Sequence, residues 1–190
     1  MRLFVAIDLD DNARAAIAEE QRRLKTAMRE SGSSMKWVRP EQMHLTLVFL
    51  GEVPEPSALP IVDALNRPVD QSPFELVFSG IGVFPPHGAP NVLWIGGAAG
   101  ADDSIALQRH LADRLRALGL AVESRPFHPH LTLARWKTSR GADRARARAA
   151  AHDRMVAAVH VGHATLYQSR LSSEGPSYTP LARATLTPRG

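Results

Sequence analysis

Two periodicities divide this chain. Runs in which apolar and polar residues alternate, or in which β-branched and aromatic residues cluster, predict strands over residues 2–9, 35–38, 44–50, 74–84, 92–95, 120–123, 130–136, 156–171 and 178–186. Helical spacing predicts an amphipathic helix over 12–29, where Ala15, Ile17, Leu24 and Met28 stand among charges, with Asp10 or Asp11 as its cap. A short helix is predicted over 56–66. A third is capped by Asp102 or Asp103 and runs to Leu118, stopped by Gly119; a fourth, rich in Ala and Arg, covers 142–152. Ser31-Gly32-Ser33-Ser34, Pro85-Pro86-His87-Gly88 and the stretch 172–177 read as turns. Helices alternating with paired strands imply an α+β fold with antiparallel pairing, and no low-complexity linker divides the chain. Residues 1–190 are therefore expected to form one domain of two packed lobes.

Composition narrows the chemistry. The 190 residues contain no cysteine, which excludes a disulfide scaffold, thiolate-bound zinc, iron–sulfur clusters and a cysteine nucleophile. No apolar run reaches the roughly 18 residues of a membrane span, and the N-terminal strand turns acidic at Asp8, Asp10 and Asp11 instead of continuing as a signal peptide. A soluble, cytoplasmic protein without membrane attachment is expected. The net charge of +4 comes mostly from arginine, 20 residues against 3 lysines, and residues 125–154 carry a local excess of +6. Such a segment suits an anionic partner such as phosphate or nucleic acid, or forms a solvated helix face.

The most informative feature is a repeated tetrapeptide. His44-Leu45-Thr46-Leu47 recurs unchanged as His130-Leu131-Thr132-Leu133, and a relaxed copy appears as His163-Ala164-Thr165-Leu166. On a strand, residues i and i+2 share a face. Each exact copy therefore buries two leucines and presents an imidazole beside a hydroxyl. If the two strands lie side by side, two imidazoles and two hydroxyls face one cleft.

That set suits phosphodiester hydrolysis, which needs a base for water and an acid for the leaving oxygen on opposite sides of phosphorus. Histidine titrates near neutrality, so one ring can be neutral while the other is charged. Threonine hydroxyls can donate to the non-bridging oxygens. Arg135 is a further donor, although strict alternation puts it on the face opposite His130, so that a twist, a bulge or its long reach must bring it to phosphate. No metal or other cofactor is demanded. A metal site built on His128 and His130 with His152 or Asp153 lacks an acidic ligand at a telling spacing. A serine hydrolase lacks its G-x-S-x-G elbow. His87, His110, His152 and His160 show no partner pattern and read as surface or loop residues.

With these motifs in place, the chain resembles the two-histidine phosphoesterase superfamily, and within it the RNA 2′,3′-cyclic phosphodiesterases once labelled 2′-5′ RNA ligases. The resemblance runs from Arg2-Leu3-Phe4-Val5-Ala6-Ile7, through Trp37-Val38-Arg39-Pro40-Glu41-Gln42-Met43 leading into His44, to Phe127-His128-Pro129 before His130. It ends in Leu166-Tyr167-Gln168-Ser169-Arg170-Leu171 with Gly175 and Tyr178. It implies a bilobal fold with two pseudo-symmetric antiparallel-sheet lobes, each giving one His-x-Thr strand to a central cleft. It also implies a substrate, an RNA or nucleotide ending in a 2′,3′-cyclic phosphate, opened without metal to a 2′-phosphate. His44 would be the general acid and His130 the general base. Thr46, Thr132 and Arg135 would hold the phosphate, and Phe49 would stack on the terminal base. His163 falls outside the catalytic pair. The protein is expected to act as a monomer. The same residues would serve 2′-5′ ligation or 2′-5′ phosphodiester cleavage, and a non-catalytic RNA-binding module would keep the same cleft.

Overall fold

The computed structural model describes residues 1–29, 33–173 and 175–188. Fourteen elements follow one another along them: β1 (Arg2–Ile7), α1 (Asp11–Ala27), β2 (Ser34–Trp37), β3 (Leu45–Glu52), α2 (Ala58–Leu65), β4 (Val69–Asp70), β5 (Phe74–Phe84), β6 (Val92–Gly97), α3 (Ala101–Ala117), β7 (His130–Thr138), α4 (Gly141–Ala150), β8 (Met155–Val161), β9 (His163–Ser172) and β10 (Gly175–Thr187). The strands form two five-stranded sheets, ordered β3-β1-β9-β10-β4 and β2-β7-β6-β5-β8. All pairings are antiparallel except the short β4 beside β10. The fold is α+β and bilobal, and each sheet draws strands from both halves of the sequence. No described helix is long and apolar enough to cross a membrane.

The helices form where their apolar stripes meet the sheets. In α1 the buried positions Ala13, Ile17, Gln21 and Leu24 follow a helical repeat, and Asp10 caps it by accepting from the Ala13 N–H at 2.7 Å. The cap expected at Asp102 or Asp103 is instead Gly100. Its φ of 79° is left-handed, and a Cβ there would lie 2.2 Å from the Glu75 carbonyl oxygen, so no side chain fits. Asp102 and Asp103 lie in the first turn, where their charge suits the helix N-terminus.

Two further expectations give way to tertiary structure. The strand predicted over 156–171 is two strands, β8 and β9, broken at Gly162 and lying in different sheets. Glycine interrupts the run and lets the chain cross between sheets. Residues 120–123 find no partner strand among the described residues, so their apolar Leu120 and Val122 pack on the core without forming a ladder. The two-residue β4 carries too little pattern to be read from sequence. Ser31, Gly32 and Glu174 of the predicted turns lie outside the described residues.

The two exact tetrapeptides lead into β3 and open β7. Leu45, Leu47, Leu131 and Leu133 are all buried, as alternation requires. However, β3 and β7 do not pair: they belong to different sheets, so the two motifs approach across a cleft and not along a ladder. Both strands also carry a bulge at the same place. Thr46 pairs with Ala6 and Val48 with Val5, which leaves Leu47 as the extra residue; Thr132 pairs with Trp94 and Ala134 with Leu93, which leaves Leu133 extra. A bulge reverses the phase of everything after it. It brings Phe49 and Arg135, each five residues past its histidine, back to the histidine side.

The β7 bulge is stitched down by α1. Gln21 Nε2 donates to the carbonyls of Val38 (2.8 Å) and Leu133 (2.9 Å), and the Val38 N–H also donates to Leu133. Replacing Gln21 by Leu removes this donor from the Val38 carbonyl and leaves Leu133 only the Val38 N–H, at a cost of about 1–3 kcal/mol. Chemical denaturation should read a loss of that size, and a stability equal to the parent protein would show that the stitch carries nothing.

Candidate active site

His44 stands one residue before β3, held by contacts on three sides. Its ring Nδ1 lies 2.9 Å from the Gln42 carbonyl, its face stacks on Phe4 (centroids 4.7 Å apart, planes at 24°), and the edge contact with Tyr178 is 5.2 Å. His130 opens β7 in the matching way. Its Nδ1 lies 2.7 Å from the His128 carbonyl, and Phe84 meets it edge-on at 5.0 Å. A carbonyl only accepts, so each Nδ1 carries the hydrogen and each neutral ring leaves Nε2 as a free base. In both lobes the ring meets the carbonyl two residues before it, although the preceding residues differ, Gln42-Met43 in one and His128-Pro129 in the other.

Trp94, opposite Thr132 on β6, completes the His130 wall: its ring lies 4.9 Å from His128 and 6.2 Å from His130. The tryptophan has room only because Gly82 pairs with it. A Cβ at Gly82 would sit 2.1 Å from Trp94 Cζ2.

His44, Thr46, His130, Thr132 and Arg135 all line one cavity of about 250 Å³ between the sheets. The bulge after Thr132 is what admits Arg135. Phe49 does not line this cavity. It is 51% exposed, carries the Arg2 guanidinium 5.1 Å above its ring, and borders a larger adjoining groove of about 690 Å³ that shares Thr46, His130 and Arg135 with the first. Lys36, Gln42 and Tyr178 also line the smaller cavity, and sequence reasoning did not single them out as site residues. Asp8, one residue past β1, was likewise missed. Its charge at the end of an apolar strand was the available signal.

Burial is the largest cause pushing both imidazoles below their ordinary value, and the neighbours of each ring modify that fall differently. For His44, the Gln42 carbonyl and the Asp8 carboxylate oppose that fall. For His130, the His128 carbonyl opposes it, whereas the His128 ring and Arg135 deepen it.

The metal alternative does not assemble from the residues it needs. His152 is turned to another partner, partly buried with Nε2 3.3 Å from Glu20. Among the described residues, no three His, Asp or Glu side chains gather as a ligand set. His152 lies in the loop between α4 and β8, within the surface-or-loop reading, but is turned inward to Glu20. The relaxed third copy lies on β9: Thr165 is fully buried and its hydroxyl donates to Asp8 at 2.7 Å. Helix α4, the core of the basic segment, turns Arg144 to the carbonyls of Pro85 and Gly88 (2.8 and 2.7 Å) and pairs Arg146 with the fully buried Asp143. Two of its cations thus serve the fold.

Known proteins are similar to this chain in sequence and fold. The chain is 34% identical over 160 residues to the RNA 2′,3′-cyclic phosphodiesterase of Aeropyrum pernix, covering 84% of this chain and 90% of that one. It is 32% identical over 183 residues to the protein of the same name from Methanothermobacter thermautotrophicus, covering 95% and 96%. Its structure superposes on E. coli LigT with a TM-score of 0.75 at 30% identity, over 98% of this chain and 97% of that one. LigT has also been solved with 3′-AMP bound, and that complex superposes with a TM-score of 0.73 at 28% identity over 98% of each chain. The profile of the 2′-5′ RNA ligase superfamily matches residues 9–173, and this chain belongs to that superfamily of two-histidine phosphoesterases.

Proposed function

We propose that this protein hydrolyses the 2′,3′-cyclic phosphate at the end of an RNA or nucleotide to a 2′-phosphate, with His44 as general acid and His130 as general base. The observation that carries this reading is one cavity lined by two imidazoles whose Nδ1 atoms are both occupied, with two threonine hydroxyls and a guanidinium beside them. The cyclic phosphodiesterase relatives and the 3′-AMP complex of LigT support the substrate class.

The step balances without a further reactant. His130 Nε2 takes a proton from water as its oxygen attacks phosphorus. The bond from phosphorus to the 3′ oxygen breaks, and His44 gives that oxygen a proton. The products are a 2′-phosphomonoester and a 3′-hydroxyl, and solvent proton exchange resets the two rings. Thr46, Thr132 and Arg135 donate to the non-bridging oxygens, where charge grows in the transition state. Phe49, at the border of the adjoining groove, offers a stacking surface for the terminal base. The histidine roles are supported by charge: a carboxylate near His44 favours holding a proton, and Arg135 near His130 favours a neutral ring. We expect the protein to work as a cytoplasmic monomer.

His44→Ala and His130→Ala should each lower kcat on an oligoribonucleotide with a cyclic end by about 10²–10⁴-fold while the circular-dichroism spectrum is unchanged. A variant within threefold of the parent rate would remove that residue from the acid–base pair. Because the acid, base and oxyanion donors all belong to the chain, turnover should continue in excess EDTA; a loss restored by added zinc or manganese would overturn the metal-free mechanism. The pH dependence of kcat/KM, which reports the free enzyme, should be bell-shaped. Activity falls on the acid side as His130 gains a proton and on the alkaline side as His44 loses one. Since burial pushes both rings down, the optimum should lie below neutrality. A rate flat from pH 5 to 9 would contradict paired imidazoles.

A further inference from the structure

The two tetrapeptides are identical, so nothing within them decides which imidazole holds the proton. The difference lies on the neighbouring strands. Along β1 and β3, Ala6 faces Thr46 and Ile7 faces Leu45; continuing that register by one residue places Asp8 opposite His44. Along β6 and β7, Trp94 faces Thr132 and Gly96 faces His130. The first lobe therefore sets a carboxylate against its histidine where the second sets a glycine. No side chain is readily added at Gly96, since a Cβ would lie 3.2 Å from the Ser79 carbonyl oxygen and 3.3 Å from Trp94.

Asp8 is held in place on both oxygens. Thr165 Oγ1 donates to Oδ2 at 2.7 Å and the Tyr167 hydroxyl donates to Oδ1 at 2.7 Å. The relaxed copy His163-Ala164-Thr165-Leu166 thus has a place in the molecule: its threonine fixes a carboxylate, and His163 Nε2 lies 3.9 Å from the same oxygen. Tyr167 in turn stacks on Phe4, the ring on which His44 stacks.

We propose that Asp8 is the positioning residue that makes His44, and not its twin His130, carry the proton before reaction. This rests on the reading of the two histidines as acid and base. The other groups around His44 are Tyr167 and His163 on β9, Tyr178 and Arg183 on β10, Arg2 on β1, and, across the cavity, His130 and Arg135 on β7 and Lys36 on β2. Asp8 is the one carboxylate in that set, so among these side chains it alone favours the imidazolium; the Gln42 carbonyl also does, but the His128 carbonyl does the same for His130. On the other side, Arg135 disfavours a second charge at His130.

The test follows the imidazole Cε1–H signals of the full chain by NMR as pH is varied, assigned with His44→Ala and His130→Ala, alongside kcat/KM on a cyclic-ended oligoribonucleotide. In the parent protein the His44 midpoint should lie above that of His130. Asp8→Asn, which keeps the shape and can still bond both hydroxyls, should lower the His44 midpoint by about one pH unit and leave His130 in place. The alkaline limb should move down with it, costing roughly tenfold in kcat/KM above the optimum, and Asp8→Glu should restore part of the shift. A His44 midpoint unmoved by Asp8→Asn, or one below His130 in the parent protein, overturns the proposal; the second comparison needs no variant to fold. The NMR midpoints do not depend on turnover. A His44 shift in a protein that leaves cyclic ends intact would support Asp8 and overturn the functional reading.

Discussion

The leucines of the two tetrapeptides decide what can face the cavity. Leu45, Leu47, Leu131 and Leu133 are buried almost completely, and a strand has only two faces. A slip of one residue in either strand would bring its two leucines into the cavity, a loss of roughly 3–6 kcal/mol at 1.5–3 kcal/mol for each side chain. No hydrogen bond available to an imidazole or a threonine hydroxyl matches that, since each is worth about 1 kcal/mol net. The core thus fixes the register, and the register turns His44 and Thr46 one way and His130 and Thr132 the same way in the other sheet. The face that these four residues present to the cavity is held by leucines buried on the other side of each strand.

This constraint is local, which is why the central pair could be read from the sequence. His44, Thr46, His130 and Thr132 follow from alternation within four residues, and the burial of Leu45, Leu47, Leu131 and Leu133 agrees with it. The long helices α1 and α3 were legible for the same reason, through stripes such as Ala13, Ile17 and Leu24. What stayed hidden depends on a partner strand. Nothing in Leu131-Thr132-Leu133-Ala134 announces an extra residue; the bulge exists only relative to β6, yet it decides that Arg135 turns toward the cavity. The split of residues 156–171 between two sheets depends on where β1 and β5 already lie. Gly100 caps α3 because Glu75 crowds it from β5, a contact that no sequence window spans.

The bulges also explain why the two lobes present different side chains to the adjoining groove although the motifs are identical. Position five after each histidine is Phe49 in one lobe and Arg135 in the other, and both bulges turn that position back to the histidine side. The pseudo-twofold frame therefore carries an aromatic ring at one site and a guanidinium at its mate. A cation suits the phosphate, and an exposed ring suits a base. The frame itself is the same in both lobes; these two side chains make its halves unequal.

Symmetry poses a problem that the same contrast resolves. Two imidazoles in equal surroundings would titrate as an equivalent pair, and neither would hold the proton in preference to the other. Catalysis with a distinct acid and base needs them unequal at one pH. Identical tetrapeptides cannot supply that inequality, and their matching Nδ1–carbonyl bonds work against it, since they stabilise both rings alike. The inequality has to come from residues outside the repeat. Sequence offers two such contrasts, Asp8 against Gly96 and Phe49 against Arg135, and both push the same way: toward charge at His44 and neutrality at His130. A duplicated frame gives the two imidazoles matching geometry, and its unduplicated neighbours make their surroundings unequal.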